Sequence, residues 1–515
     1  MKWFGSAIKN YPNTLKIKAG FSTFECILML RFIKRHATLW MLVPLFISCS
    51  TYRTSMQSYY NEMDAHHYDK AWQRLEKNKK IKKDRNKLLY LMEAGKVWYL
   101  KNDFEKSNFY FNEADRFIEN RHQSIGSIAA ANLLNSMHET YTGEDFEKFI
   151  LHYYKALNYC SLGNIEDALV EARRINLDLG KQSDKYHDKK NRYSKDAFAL
   201  NLQGIIYEMG GDINNAFIAY RNAADVYLQS NDTYYGVELP GQLKKDVLRT
   251  AWQIGFLNEF TRYQKLFNED FIPGDDNAPE LILFIEEGKA PVKSQQLIHV
   301  NYNSNGNLNW HTSGGAFHPF NFDYGSYNFS AEKLTSFRSI DVALPYYITQ
   351  TPAMLQKIIF TNGSEYKPQL VSNINNLAIN ILQERFIPEL SKALARQLIK
   401  KGFEVAGEKL AESAANTNKH DSSTLSDTEK ETRQKKKKEK AESVGEAAGF
   451  AINLFNRFSE KADTRNWQSL PAFISYVRMP LQPGNNDIIL TINGKTKHIS
   501  VEGKNGLQIR SEVLN

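Results

Sequence analysis

Two amphipathic helical segments joined by a tight turn lie around Ala216, and this pattern constrains the fold more than any other feature of the chain. In the stretch ALNLQGIIYEMGGDINNAFIAYRNAADVY, Gly204 and Tyr207 share one helix face, and Ala216 and Tyr220 recur on the next helix. A Gly-Gly-Asp turn separates the two segments. Small residues at Gly204 and Ala216 let two helices approach closely, so the pattern predicts an antiparallel helix pair.

The same offsets resemble the tetratricopeptide repeat, a 34-residue helix–turn–helix unit. Two further copies align on Gly95, Trp98, Ser107, Phe111 and Ala114, and on Ala156, Tyr159, Gly163, Ala168 and Ala172. Weaker copies occur at 68–75 and 251–267. The anchoring positions 71, 107, 168, 216 and about 263 are mostly more than 34 residues apart, which requires inserted segments such as the apolar stretch 124–136.

Stacked units of this kind leave a concave surface, so residues 49–272 are expected to bind an envelope protein or peptide in the repeat groove. The alternative, an array that only supports the next domain, stays open.

A secretory signal precedes the repeats. After Met29, which we expect to be the true start, basic residues are followed by an apolar run from Ala37 to Ile47 and by Cys49. This layout resembles a bacterial lipoprotein signal. The resemblance implies that residues 1–48 are removed, that Cys49 carries the lipid, and, with Ser50 next, that the protein is anchored in the outer membrane and faces the periplasm. The alternative is that Cys49 is a buried thiol.

Most of the net charge of +8 lies in the first 48 residues. Residues 1–48 hold seven Lys/Arg and one acid, or +6, so only +2 belongs to the other 467 residues. A nucleic-acid surface needs clustered positive charge, and no nucleic-acid partner is therefore expected. Three cysteines cannot form a disulfide framework, and Cys160 is expected to be a small core residue.

The second half of the chain changes to strand patterns. Short apolar or alternating runs fill 273–370, a helical period follows over 371–413, and 414–442 is a charged linker that we expect to be disordered. A helix is predicted at 443–463, and 464–515 returns to strands that complete the sheet begun earlier. The sequence thus predicts an α+β protein, with a tetratricopeptide-like α-helical solenoid before a small, mainly antiparallel β domain interrupted by long helices.

Two motifs, EEGKAPVK at 286–293 and RNWQSLPA at 465–472, stand out in this second half. Together with Arg396 and Lys400, they resemble a family of bacterial periplasmic lipoproteins that have similar repeats before a shared C-terminal domain. That family has no settled biochemical function, and the resemblance implies an envelope role. The candidate structural or binding residues are Glu286, Glu287, Gly288, Pro291, Arg465, Trp467 and Pro471.

Charge and geometry offer a physical interpretation of these motifs. Gly288 permits a turn at a strand end. Arg465 is expected to stack with Trp467, or to pair with the carboxylates of Glu286 and Glu287, if the sheet halves meet. Both a structural corner and a ligand site remain possible interpretations.

The sequence contains no phosphate-binding loop, no dinucleotide fingerprint and neither HExxH nor GxSxG. We therefore expect a non-enzyme with no cofactor, no metal, no catalytic residue and no small-molecule ligand. A glycan-binding nutrient-capture lipoprotein is the first alternative, because residues 301–330 place aromatics such as Trp310 among Asn and Gly. A periplasmic hydrolase assembled from distant residues is the second.

Overall fold

Antiparallel helix pairs form the N-terminal region of the computed structural model. The structure describes residues 52–120, 136–183, 196–272, 278–302, 308–312, 339–350, 357–360, 363–386, 461–492 and 495–514, with isolated positions between 389 and 439. In these ranges the helices are α1 Tyr52–Asp64, α2 Tyr68–Lys77, α3 Lys87–Leu100, α4 Phe104–Glu119, α5 Asp145–Ser161, α6 Ile165–Ser183, α7 Ala197–Met209, α8 Ile213–Gln229, α9 Gly241–Gln253 and α10 Leu257–Phe267.

Glycines allow the two helices of a pair to touch. A Cβ atom at Gly95 of α3 would lie 2.3 Å from the ring of Phe111 on α4, and one at Gly204 of α7 would lie 2.5 Å from the ring of Tyr220 on α8. Real Cβ atoms do not approach so closely, so both positions need glycine. The close approach predicted from Gly204 is confirmed.

The anchoring residues of the predicted repeats fall on the second helix of each pair. Ala71, Ser107, Ala168 and Ala216 are fully buried there. One insertion that lengthens the spacing is a two-stranded hairpin between α8 and α9, formed by β1 Thr233–Tyr234 and β2 Val237–Glu238. The predicted packing helix at 124–136 lies, apart from its last residue, outside the described residues.

The C-terminal region contains three small sheets. The first has the order β13-β3-β10-β9, the second β12-β11-β7-β8 and the third β5-β4-β6. The strands are β3 Glu280–Glu287, β4 Val292–Tyr302, β5 Leu308–Thr312, β6 Ser339–Ile348, β7 Lys357–Phe360, β8 Glu365–Tyr366, β9 Gln369–Asn373, β10 Phe473–Pro480, β11 Gly484–Ile492, β12 Lys495–Gly503 and β13 Leu507–Leu514, with helix α11 at Ile374–Glu384.

The C-terminal strands return to the strands of the first segment, as expected. Strand β10 pairs with β3 in an antiparallel register that places Phe473 opposite Glu287, and β11 pairs in the same sense with β7. Strand β13, however, runs parallel to β3. The β region is therefore mixed, although the other seven strand pairings described in these three sheets are antiparallel, as expected.

Strand β3 separates two layers because its side chains alternate between the faces of the sheet. Leu281, Leu283 and Ile285 point into an apolar core shared with the second sheet. The intervening Phe284 contacts Tyr153 and Phe198 on the helices, with ring centroids 5.9 and 6.0 Å apart. Helices, first sheet and second sheet are thus stacked in that order.

The helical and β regions belong to one compact unit, Ser55–Asn515. The boundary expected near residue 272 is a change of secondary structure within that unit. Of the helix predicted over 371–413, residues 371–373 belong to β9, and the structure describes α11 and isolated helical positions beyond it. The linker at 414–442 lies outside the described residues except for Lys435 and Glu439, which are helical. Of the helix predicted at 443–463, only 461–463 are described, and they are not helical. Within the described ranges, every helix is too short or too polar to cross a bilayer.

Candidate functional site

The two sequence motifs lie side by side at the end of strand β3. Gly288 has a φ of 68°, in the left-handed region, and turns the chain out of the strand. Hydrogen bonds then join the motifs: Ala290 N–H to the Leu470 carbonyl (2.7 Å), Ala472 N–H to the Glu287 carbonyl (2.9 Å), Asn466 Nδ2 to the Pro291 carbonyl (2.8 Å), and Lys293 N–H to Asn466 Oδ1 (3.2 Å). Pro471 lies between two of the bonded residues. We call this assembly of both motifs the motif junction.

Glu286 points from the motif junction toward the helices. Its carboxylate accepts hydrogen bonds from Lys96 Nζ at 2.6 Å, from the Tyr154 hydroxyl at 2.7 Å and from the Tyr99 hydroxyl at 3.3 Å. Burial lowers the pKa of Lys96, although the charge of Glu286 opposes that change. Burial and the same carboxylate raise the pKa of Tyr154 well above its ordinary value. The result is an ion pair with neutral hydroxyl donors, fully enclosed by protein.

Glu287 points in the opposite direction, as strand geometry requires for neighbouring residues. Its carboxylate accepts a hydrogen bond from the Ser475 hydroxyl at 3.1 Å, on the face toward the second sheet. The two neighbouring acids of the motif therefore do not form a paired-carboxylate site.

Arg465 makes contacts with the helical region instead of with Glu286. Its guanidinium donates to both carboxylate oxygens of Asp463, at 2.8 and 2.6 Å, and to Asn86 Oδ1 at 2.9 Å. It also donates to the backbone carbonyls of Arg85 and Glu139. The expected pairing of Arg465 with Glu286 is wrong. Glu286 forms its ion pair with Lys96 of α3, and Arg465 forms its ion pair with Asp463, two residues before it.

Asp463 stays charged beside this arginine. Burial alone would raise the pKa of Asp463, but the charge and hydrogen bonds of Arg465 outweigh burial and hold that pKa below its ordinary value. Arg465 also lies over the ring of Tyr141, 5.3 Å from its centroid.

Trp467 fills the space between the helices and the motif junction. Its ring is fully buried, near the rings of Phe111 and Tyr154 at 5.8 and 6.0 Å. The indole N–H donates to the Ser469 hydroxyl at 2.9 Å, and the backbone N–H donates to Glu147 at 2.6 Å. The expected stacking partner of Trp467 was Arg465, whereas the observed partners are the rings of Phe111 and Tyr154.

Two glutamates at the start of α5 have pKa values that are shifted in opposite directions. Burial would raise the pKa of Glu144, but Lys293 and Arg385 lower it to about 2. Burial, together with the charge of Glu144, raises the pKa of Glu147 to about 7. Glu147 also accepts a hydrogen bond from the Tyr141 hydroxyl at 2.6 Å. Such divided pKa values are typical of acid–base pairs, but both side chains lie inside the protein against the motif junction.

A second buried cluster joins α4, α5 and α6. His152 Nδ1 lies 2.7 Å from Glu171, and Asp115 completes a group that resembles a metal-ligand set. Lys155 Nζ lies 2.8 Å from both Asp115 and Glu171, and Arg174 also pairs with Asp115. A metal ion would have to displace the ammonium group, so these residues do not fit a metal and instead balance one another's charges.

Neither the Glu144–Glu147 pair nor the buried cluster around His152 was predicted from the sequence. A signal was present in α5, where His152 and Lys155 interrupt the apolar run FILHYYKALNYC at helical spacing. Arg396 and Lys400, on the chain after α11, are both buried. Cys160 is buried too, and burial raises its pKa to about 12, which agrees with its expected role as a core residue.

Several predicted sites lie outside the described residues. Cys49 is one of them, and most of the aromatic insert at 301–330 is another. Trp310 is placed on β5 opposite Val300. Comparison with protein-family models and with curated proteins finds no match to this chain.

Proposed function

We propose that this protein is a non-enzymatic lipoprotein of the bacterial cell envelope, and that Cys49 tethers it to the periplasmic face of the outer membrane. Its tetratricopeptide-like α-helical solenoid would serve as a scaffold for protein partners. The motif junction carries the non-enzymatic part of this proposal. Its charged groups pair with one another between helices and sheet, whereas a catalytic site needs titratable groups that can reach a substrate.

The β region covers the face formed by the first helices of the pairs, so we place the partner surface elsewhere on the array. Strands β3 and β10 occupy that face: Glu286 contacts Lys96 on α3, Phe284 contacts Phe198 on α7, and Arg478 contacts Asp246 on α9.

The last helix pair offers the best alternative surface. Trp252, Leu257 and Leu266 on and beside α9 and α10 are 45%, 57% and 52% exposed, and Ile272 is 87% exposed. Terminal units of stacked arrays need a polar outer face for solubility.

We take the occupant of this surface to be an amphipathic helix of another envelope protein. Such a helix would continue the stacking that already packs α9 against α8 and α10 against α9. Lys245 and Lys265 beside the apolar surface are exposed and have no acidic partner among the described residues, which favours a partner helix with acidic flanks.

The test is crosslinking in intact envelopes followed by purification of the anchored protein. Leu257→Asp with Leu266→Asp should abolish the crosslinked partner band, because it places two charges in a buried interface. Leu162→Asp with Val170→Asp is the matched control, since these residues are also exposed but lie on or beside α5 and α6. Identical partner bands in both variants and the wild type would contradict the proposed surface.

A further inference from the structure

A strongly basic segment connects α2 to α3. Residues 74–87, here called the basic loop, contain eight basic and two acidic residues, a net excess of six positive charges. The acidic residues are Glu76 and Asp84; the basic residues are Arg74, Lys77, Lys79, Lys80, Lys82, Lys83, Arg85 and Lys87. All of the lysines in this loop are exposed. The near-neutral charge of the chain after residue 48 hides this local excess.

Internal hydrogen bonds fix the backbone of the basic loop. Asn78 Nδ2 donates to the Ser55 carbonyl of α1 at 2.8 Å, and Asn86 Nδ2 donates to the Lys80 carbonyl at 2.9 Å. Arg465 of the motif junction donates to the Arg85 carbonyl at 3.0 Å. The side chain of Ile81 is buried beneath the loop. The loop is therefore a defined surface rather than a free tether, and its lysines point to solvent.

Most of these charges are not neutralised by the protein itself. Lys82 pairs with Glu76, and Arg74 lies 3.8 Å from Glu62. Lys77, Lys79, Lys80, Lys83 and Lys87 have no carboxylate within ion-pair distance in the part of the chain that the structure describes. Like charges held this close repel one another, and an anionic surface relieves that repulsion.

Half-exposed aromatic side chains continue the same surface. Lys82 Nζ lies 5.2 Å from the ring of Tyr90, which contacts Tyr110 at 6.4 Å. Tyr110 in turn contacts Trp72 and Phe109, and Phe109 is 58% exposed. Basic groups beside tyrosine and tryptophan are typical of surfaces that lie at the level of lipid headgroups.

We propose that the basic loop and the adjoining aromatic residues bind anionic phospholipid headgroups of the membrane that holds the lipid anchor. The orientation of the basic loop toward the membrane rests on the proposed function. Ser55, whose carbonyl accepts the hydrogen bond from Asn78, is six residues after Cys49. Six residues span at most about 20 Å when fully extended. An acyl chain at Cys49 would therefore hold the loop within reach of the bilayer, where an acyl chain and a basic surface act together.

The test uses the mature chain beginning at Ser50, which lacks the lipid but contains the whole compact unit. We expect it to sediment with vesicles of equal parts phosphatidylglycerol and phosphatidylcholine, and not with vesicles of phosphatidylcholine alone. Lys79→Gln, Lys80→Gln and Lys83→Gln combined should weaken vesicle binding about 100-fold, since each basic residue contributes roughly fivefold. The matched control is Lys367→Gln, Lys497→Gln and Lys504→Gln, which removes three exposed charges of the C-terminal region and should leave binding unchanged.

Equal losses in the two triple variants, equal binding to both vesicle types, or no binding by the wild type would each overturn the proposal. Polyglutamate, supplied at the same total negative charge as the vesicles, serves as a competitor. If it displaces the wild-type chain from the vesicles while the loop variant binds the vesicles without loss, the result would point to an acidic protein as the partner and would overturn the proposal as well. Failure of the lipid anchor is distinguished by a separate measurement, the incorporation of labelled palmitate at Cys49 in cells.

Discussion

Replacing Lys96 with methionine tests the central contact between helices and sheet. The Lys96 ammonium and the Glu286 carboxylate lie 2.6 Å apart, and both side chains are almost fully enclosed. Removing one partner leaves the other charge buried and unpaired, which costs about 3–5 kcal/mol of unfolding free energy. Lys96→Met and Glu286→Met should each lower stability on this scale.

The double variant should be more stable than either single variant. Without both charges, the main remaining loss is an acceptor for the hydroxyls of Tyr154 and Tyr99, worth about 1 kcal/mol each. We therefore expect Lys96→Met with Glu286→Met to lose only about 2 kcal/mol.

Urea unfolding followed by circular dichroism measures this cycle. The exposed pair Lys357–Glu365, at 2.7 Å, is the matched control, and its removal should change stability by less than about 1 kcal/mol. Additive losses in the buried pair, with the double variant as unstable as the sum of the singles, would refute the assignment of Lys96 and Glu286 as coupled charges.

Three further predictions concern pH, packing and reactivity. Folding raises the pKa of Glu147 from 4.5 to about 7, so the folded state binds the proton of this carboxyl more tightly than the unfolded state does. Glu147 therefore lowers the free energy of unfolding by up to about 3 kcal/mol as pH rises from 4.5 to 7. Glu147→Gln should flatten that part of a stability-against-pH curve, and an unchanged slope would contradict the prediction. Gly204→Ala places a Cβ against the Tyr220 ring and should lower both the thermal midpoint and the free energy of unfolding, the latter by about 1–3 kcal/mol. Gly241→Ala is the control and should be tolerated, because no atom lies closer than 3.7 Å to the added Cβ. Equal effects of the two substitutions would rule out the close helix contact. Cys160 should react with a thiol reagent only after unfolding, because burial raises its pKa to about 12, and rapid labelling of the native chain would show that the thiol is accessible.

Local pattern predicted the helix pairs and many of the strands. Gly204 and Ala216 mark close helix contacts because only small residues fit there, and such constraints are visible within a single pair. The run SIDVALPYYI is strand β6 for a similar reason, since its apolar and alternating residues suit a half-buried strand. The return of the C-terminal strands to the first sheet followed from the inability of a short all-strand tail to bury its own core.

Partners far apart in sequence could not be predicted. Lys96 and Glu286 are 190 residues apart, and nothing in EEGKAPVK indicates that its first acid meets α3. Glu93 and Lys96 do interrupt the apolar helix KLLYLMEAGKVWYL, a sign that its polar residues have buried partners, but the sign does not identify them. Choosing Arg465 as the partner of Glu286 failed because Asp463 is a nearer acid.

The most direct measurement of the proposed function is the mass of the N-terminal peptide from the mature protein purified from membranes. We expect this peptide to begin at Cys49 and to carry acyl chains, and we expect Cys49→Ala to release the protein into the soluble fraction without unfolding it. A mature chain that retains residues before Cys49, or an unmodified thiol at that position, would contradict the anchored scaffold.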